Sequence, residues 1–208
     1  MDVFFFFIFF YFFYFFLFFY LQLYFFIYLF FFFYYILYIY IMALFTNKTF
    51  KNHDHYMTPW TAWNDIKEYI PKGKKLYAPF YGDGSLLKNF KKIGFEVLHE
   101  KKDFFKVASK IKYDVIIDNP PFTIKKEVFT KLKELDKPFI ILCPSSTINT
   151  QYMRGLFKDK LQIIIPKKRI QFIKTDDKGV KIPTKTGANF DCFYYCYKMK
   201  LKHSITWL

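Results

Sequence analysis

The chain has 208 residues and a formal net charge of +15, and neither its charge nor its apolar content is evenly distributed. Residues 1–41 carry a single charge, Asp2, so the remaining 167 residues hold a surplus of +16. That length suffices for one domain with its own hydrophobic core. The three cysteines lack metal-ligand spacing, which argues against a disulfide framework or zinc module and favours a reducing compartment.

The first 41 residues form an aromatic, low-complexity segment, which begins MDVFFFFIFFYFFYFF. Its length exceeds the roughly 20 residues that span a bilayer, and Gln22 near its middle allows a turn between two shorter passes. Membrane spans concentrate aromatic residues at the interfaces, however, whereas here Phe and Tyr run throughout. Phe, Tyr, Ile and Leu have thymine-rich codons, so translation of a T-rich stretch upstream of a true start at Met42 also explains the segment. Both interpretations stay open at this point.

The cellular location depends on that segment. If it is a genuine anchor, Lys48 and Lys51 after it favour a cytosolic position for the part of the chain that follows, by the positive-inside rule. A cleaved signal peptide is not expected, because a basic start and a small-residue cleavage site are absent. We therefore expect an intracellular, cytoplasmic domain, with membrane association only if residues 1–41 are genuine.

A polar lead-in, residues 42–57, precedes a region of alternating elements, residues 58–208. Thr58 and Pro59 predict a helix start, with the Thr58 hydroxyl as its cap. The following segments read as strand KKLYAPF, helix LLKNFKKIG, strand FEVLHE, short helix or loop KDFFKVASKIK, strand YDVIIDN, helix IKKEVFTKLKELD and strand PFIILCP. This alternation predicts an α/β fold with a mostly parallel sheet.

From LQIIIP onward the pattern changes to strands, KKRIQFIK and FDCFYYCYKMKL, which we expect to form the antiparallel edge of the same sheet. The polar loop between them, residues 175–189, is long for a compact domain and is predicted to move or to contact a ligand. Cys143, Cys192 and Cys196 are predicted to lie in the core. His53 and His55 lie in the lead-in without a partner cluster, so we expect no metal site.

Two unusual loops, YGDGS and NPPF, each follow a predicted strand. Ligands of open α/β sheets bind beyond the carboxyl ends of the strands, so both loops should open on one edge. The side-chain amide of Asn119 and the backbone carbonyl of Pro120 can accept hydrogen bonds from one planar NH2 group, while Pro120 and Pro121 hold the backbone in place. Phe122 offers a flat face on which a base can stack.

These motifs carry a resemblance. YDVIIDNPPF resembles the catalytic motif of S-adenosylmethionine-dependent amino methyltransferases, whose adenine-N6 members carry (D/N)-P-P-(Y/F) after the fourth strand. KLYAPFYGDGS is similar to their cofactor loop, D-P-F-x-G-x-G, and lies upstream as in that family. The likeness is closest to small phage-like or large-virus adenine methyltransferases and covers most of residues 58–200. It implies a Rossmann-like class I methyltransferase fold, a mostly parallel sheet with antiparallel C-terminal strands and helices on both faces.

The resemblance also implies roles for particular residues. The catalytic set is Asn119, Pro120, Pro121 and Phe122. The S-adenosyl-L-methionine site would comprise the loop residues Phe80, Tyr81, Gly82 and Gly84, Glu100 for the ribose hydroxyls, Asp103 for the adenine amine and Phe104 beside the adenine ring. Ala78 departs from the acid that the family has at this position, so the usual hydrogen bond is not expected there.

The nucleic-acid substrate would lie beside these residues. IPKKRIQF resembles the family segment in which an aromatic residue packs on the target base, which makes Phe172 a second stacking residue. Basic residues that would neutralise phosphates are Lys125, Lys167, Lys168 and Arg169. With a surplus of +16, the expected partner is DNA or RNA.

The sequence therefore predicts an S-adenosylmethionine-dependent N-methyltransferase of the exocyclic amine of adenine, with DNA favoured and no metal required. Guanine-N2 in RNA and a protein glutamine present the same planar amine and stay open as alternatives. A non-catalytic nucleic-acid-binding relative of the fold also stays open, because of Ala78.

Overall fold

A computed structural model describes residues 3–45, 56–174 and 190–208. It divides into two compact units, Met1–Lys51 and Asn52–Leu208. Several predictions of the sequence lie outside the described residues: those for Lys48, Lys51, His53, His55 and the loop 175–189.

The described part of the first unit is the helix α1 (Val3–Phe45), of 43 residues. It continues through Gln22, so the predicted turn between two shorter passes is wrong. At 1.5 Å per residue it is about 65 Å long, roughly twice the hydrocarbon thickness of a bilayer. Its part Tyr11–Tyr38 has a mean hydropathy of 2.1 and is long and apolar enough, by length and composition alone, to cross a membrane.

The second unit alternates short strands and helices. Its elements are β1 (Tyr56–Met57), α2 (Trp60–Asp65), β2 (Leu76–Tyr77), α3 (Ser85–Lys92), β3 (Val97–Leu98), α4 (Phe104–Val107), β4 (Val115–Asp118), α5 (Lys125–Leu135), β5 (Phe139–Pro144), α6 (Gln151–Phe157), β6 (Leu161–Ile165), β7 (Ile173–Lys174), β8 (Cys192–Tyr197) and β9 (Ile205–Trp207). Short 3-10 turns follow α2, β4, β5 and α6. Helix α6 was not predicted from the sequence.

Seven strands form one sheet in the order β3-β2-β4-β5-β8-β6-β9. All are parallel except β8, which runs antiparallel to both β5 and β6. The predicted Rossmann-like fold, mostly parallel with an antiparallel C-terminal strand, is confirmed. Its details differ, because β8 lies inside the sheet and the edge strand β9 is parallel to β6. Of the predicted strand KKRIQFIK only β7 forms, and it pairs with β1 in a separate two-stranded ladder.

Side chains of the strands alternate between two hydrophobic clusters, one on each face of the sheet. Leu76 contributes to one cluster and Tyr77 to the other, and Ile117 and Ile116 divide in the same way. Helices α2 and α3 pack on the first face, and α4, α5 and α6 pack on the second. Burial on both faces explains why these strands are continuously apolar. All described members of both clusters lie in the second unit, so a chain that begins at Met42 keeps every one of them.

The three cysteines are free and buried, as predicted. Cys192 and Cys196 belong to one face of the sheet, and Cys143 to the other. Burial raises the pKa of the Cys143 thiol well above its ordinary value, because an apolar environment disfavours the thiolate. These residues are therefore unreactive core residues.

The strand order reverses at β2. The chain leaves β2 for β3 on one side and returns to the other side of β2 as β4. In an open α/β sheet, the crevice beyond the carboxyl ends of such neighbouring strands is where ligands bind. The YGDGS and NPPF loops follow β2 and β4, so both border this crevice.

Candidate functional site

A buried carboxylate joins the two loops. Asp118, the last residue of β4, is 1 % exposed. Its carboxylate accepts from the backbone N–H of Phe80 at 2.6 Å and from that of Asn119 at 2.8 Å. Desolvation raises the pKa of Asp118 to about 7, although these two N–H donors act in the opposite direction. The site predicted from the sequence did not include Asp118. An acidic residue at the end of an apolar strand, as in VIID, could have indicated it.

The loop after β2 is a tight turn that requires glycine. Tyr81 O accepts from Gly84 N at 2.8 Å, and Gly82 and Gly84 have φ of +52° and +77°. A Cβ added at Gly84 would lie 2.9 Å from the Tyr81 hydroxyl. At both positions any other residue would be strained in backbone conformation, and at Gly84 the Tyr81 side chain would also have to shift.

His99, immediately after β3, holds the same loop from the other side. Its Nδ1 lies 2.8 Å from Ala78 O and its Nε2 3.2 Å from Tyr81 O. The imidazole also stacks on the Tyr81 ring, with centroids 5.0 Å apart and planes 14° apart. A neutral imidazole can donate to one of these carbonyls, and an imidazolium can donate to both. His99 was missed in the sequence, where it is visible only as a polar residue at a strand end.

The side-chain amide of Asn119 uses its donor group but not its acceptor oxygen. Its Nδ2 donates to Thr58 Oγ1 at 3.0 Å. Its Oδ1 is buried and has no hydrogen-bond partner among the described residues. The predicted role of Thr58 as a helix cap is wrong, because Pro59 is the N-cap residue of α2 and no side chain caps that end. The Thr58 hydroxyl instead holds the amide of Asn119.

A small cavity of about 80 Å³ lies at the NPPF loop. Its lining comprises Tyr56, Phe80, Gly82, Asn119, Pro120, Pro121 and Phe122. It is below the roughly 300–1,000 Å³ of pockets that enclose a whole small molecule, so it fits the edge of a planar group. Tyr56 was missed in the sequence, because it was assigned to the polar lead-in.

Two predicted stacking residues lie in the core instead. Phe172 is 5 % exposed and packs against Tyr56 with ring centroids 6.2 Å apart. Phe104 is 3 % exposed and packs against Phe80 at 5.1 Å, whereas the next residue, Phe105, is 39 % exposed. In this structure neither Phe172 nor Phe104 offers a face to a base. Each instead supports, from behind, an aromatic ring that lines the cavity.

Two acidic residues predicted to bind a cofactor follow β3. Glu100 forms an ion pair with Lys102 at 2.8 Å. Asp103 is the N-cap residue of α4, accepts from Phe105 N at 3.0 Å and pairs with Lys106 at 3.6 Å. Both carboxylates are partly exposed and follow the carboxyl end of β3. They are therefore accessible to hydroxyl or amine donors of a ligand.

The predicted phosphate-binding residues are not gathered in one place. Lys125 is the first residue of α5, just past the NPPF loop. Lys167 and Lys168 line a separate cleft of about 500 Å³ together with Glu68. Arg169 donates to both carboxylate oxygens of Asp191, at 2.7 and 3.2 Å, so its charge is already paired. Among the described residues, no group of three or more His, Cys, Asp or Glu could hold a metal ion.

Comparison with known proteins gives only distant likenesses. No protein-family model and no curated protein matches the sequence. Among solved structures, the chain is similar to TrmN from Thermus thermophilus, with 12% identity and a TM-score of 0.37 over 67% of this chain and 48% of that one. It is also similar to a SAM-dependent O-methyltransferase from Thermotoga maritima, with 12% identity and a TM-score of 0.34 over 62% of this chain and 51% of that one.

The matched regions thus span about half the length of these two solved proteins. At this identity, the likenesses concern the fold alone. The assignment of a Rossmann-like fold rests on the strand order and on the two helical layers of this chain.

Proposed function

We propose that this protein is an S-adenosyl-L-methionine-dependent N-methyltransferase of the (D/N)PP(Y/F) group that acts on the exocyclic amine of adenine in nucleic acid, with DNA favoured. The observation that carries the proposal is the buried, unpartnered Oδ1 of Asn119 beside a cavity lined with aromatic rings. A buried acceptor without a donor destabilises the fold by about 1–3 kcal/mol. A planar amine entering the cavity supplies that donor.

The loop after β2 and the two carboxylates after β3 fit the cofactor. The turn at Gly82 and Gly84 lets a ligand approach the backbone closely, and Glu100 and Asp103 offer acceptors at the same edge of the sheet. S-adenosylmethionine supplies an electrophilic methyl group bound to a sulfonium sulfur. Ala78 has no carboxylate, and Asp118 supports the loop instead, through the N–H of Phe80.

The residues of the chain hold and polarise the amine. Asn119 Oδ1 and the carbonyl oxygen of Pro120 accept its two N–H groups, which localises the nitrogen lone pair. Tyr56 and Phe122 hold the base that carries it. The amine nitrogen forms its bond to the methyl carbon as the carbon–sulfur bond breaks, and one proton leaves the nitrogen for water. Positioning and aimed acceptors supply the rate enhancement, without metal.

Other substrates share this chemistry. Guanine-N2 in RNA and a protein glutamine also present a planar amine, but the surplus of +16 on residues 42–208 favours nucleic acid over protein. Ala78, where an acid is expected, favours one further candidate, a non-catalytic nucleic-acid-binding protein of the same fold. We place the activity inside the cell, at a membrane only if α1 is an anchor.

The test incubates the full chain and a chain beginning at Met42 with tritiated S-adenosylmethionine and separate pools of double-stranded DNA, single-stranded DNA and RNA. Label on adenine in one pool, lost in Asn119→Ala and kept in the matched exposed control Asn64→Ala, is the expected result. If no pool is labelled and calorimetry detects no cofactor binding, the enzyme hypothesis should be dropped in favour of the non-catalytic nucleic-acid-binding protein. Bound cofactor without label would redirect the search to a protein substrate.

A further inference from the structure

Another concave surface lies at the amino ends of strands β2 and β3, whereas the candidate site lies at the carboxyl ends of the strands. It has a volume of about 950 Å³ and is lined by residues of β2 and β3, the turn before β2 and the segment between α3 and β3. Its charged lining residues are Lys67, Lys72, Lys74, Lys75, Lys112 and Glu96. We call this surface the lysine groove.

The lysine groove is strongly basic and exposed to solvent. Its lining has five lysines and one acidic residue, a higher proportion of basic residues than in the whole chain, which has 32 basic and 17 acidic residues. All five lysines are exposed, and none forms an ion pair with a described residue. The neighbouring Asp114 accepts from the backbone N–H of Lys75 at 2.8 Å. Like charges that line one groove repel one another, and a polyanion relieves that repulsion.

The geometry points to a nucleic-acid backbone as the occupant: we propose that the lysine groove is a second nucleic-acid-binding surface, which holds phosphates away from the candidate site. Lysine ammonium groups are point charges without a fixed fork, so they suit phosphates regardless of base sequence. The groove is also open and far larger than the cavity at Asn119. The proposal stands on the charge of the groove and does not depend on catalysis.

The separation of the two surfaces sets a length requirement. Lys75 and Phe80 lie on opposite sides of β2 in the chain, and five extended residues span roughly 17 Å. A longer strand presents more phosphates to the lysine groove and can also extend to the candidate site. Binding should therefore strengthen between oligonucleotides of five and thirty nucleotides.

The test measures fluorescence anisotropy of labelled single-stranded DNA, five or thirty nucleotides long, without S-adenosylmethionine. The groove variant is Lys72→Gln/Lys74→Gln/Lys75→Gln. Its matched control is Lys158→Gln/Lys160→Gln/Lys202→Gln, three exposed lysines near the amino ends of β6 and β9, several strands away. Circular dichroism melting verifies that both variants keep the fold.

We expect the groove variant to bind the thirty-nucleotide DNA at least about tenfold more weakly, and the slope of log K against log salt to fall by about 2. The control should bind as the unmodified protein does. Equal weakening by both triple variants, or an unchanged salt slope in the groove variant, overturns the proposal. The two hypotheses stay separable, because this binding is measured without S-adenosylmethionine and does not require methyl transfer.

Discussion

The backbone N–H of Phe80 donates to a carboxylate oxygen of Asp118 at 2.6 Å, and Asp118 is almost fully buried. This bond connects the loop after β2 to the strand that leads into NPPF, over a separation of 38 residues. A second bond, from Asn119 N, ties the same carboxylate to the NPPF loop. The two loops of the candidate site are therefore held as one unit by a single side chain.

Replacing Asp118 by Asn should disturb both loops together. The amide keeps one oxygen but sets an NH2 group against a backbone N–H donor, so one of the two bonds is lost. We expect kcat/KM to fall at least about tenfold, with a raised KM for S-adenosylmethionine, in steady-state assays. The exposed Asp159→Asn is the matched control and should leave both constants unchanged. An unchanged KM with an intact fold would contradict the positioning role of Asp118.

The same carboxyl group predicts how stability depends on pH. Burial raises the pKa of Asp118 to about 7 from an ordinary value of 3.8. Below about pH 4, Asp118 is protonated in both the folded and the unfolded chain. Between about pH 4 and 7 the unfolded chain releases this proton and the folded chain keeps it, so the free energy of unfolding falls as pH rises, by up to about 1.4 kcal/mol per unit.

Urea unfolding of a chain beginning at Met42, between pH 4.5 and 8, measures this effect. Asp118→Asn cannot titrate, so the unfolding free energy of the unmodified protein minus that of the variant should decrease up to about pH 7 and then level off. Curves that stay parallel across this range would show that Asp118 keeps an ordinary pKa in the folded protein.

Thr58→Val should remove the acceptor that orients the Asn119 amide while keeping the shape of the side chain. Losing this bond is worth about 1 kcal/mol, which corresponds to a fall in kcat of about five- to tenfold. The KM for S-adenosylmethionine should not change, because the Thr58 hydroxyl bonds Asn119, and the Thr58 carbonyl that accepts from Asn89 is kept in the variant. Thr58→Ser should restore activity, and Thr61→Val, at an exposed position of α2, serves as control. A Thr58→Ser variant as slow as Thr58→Val would contradict a role for the hydroxyl.

His99→Phe should keep the stack on Tyr81 and lose the imidazole donor beside the carbonyls of Ala78 and Tyr81. We expect calorimetry to show affinity for S-adenosylmethionine reduced by about five- to tenfold, since one lost hydrogen bond is worth about 1 kcal/mol. His203→Phe, at an exposed position before β9, is the matched control. If His99→Phe binds the cofactor normally, stacking alone is enough to hold the loop.

The alternation of buried strands and helices was readable along the chain, because burial on both faces of a parallel sheet demands uninterrupted apolar runs. YDVIIDN and PFIILCP therefore appear as β4 and β5, and the loops after β2 and β4 border one crevice. The pairing of the strands was harder to predict from the sequence. Residues of β7 found their partner in β1, more than a hundred positions away, because no local pattern encodes which edge a short strand will meet.

The sequence by itself determined the fold class, the two strand-end loops and the aromatic and amide groups that they carry, because these depend on local periodicity and on backbone restrictions by glycine and proline. Only the tertiary structure decided the partners of those groups. Thr58 reaches Asn119, and Asp118 reaches Phe80, because packing brings distant segments within hydrogen-bond distance. It also decided that Phe104 is buried and Phe105 exposed, since which of two adjacent rings faces the core depends on how the helix docks on the sheet.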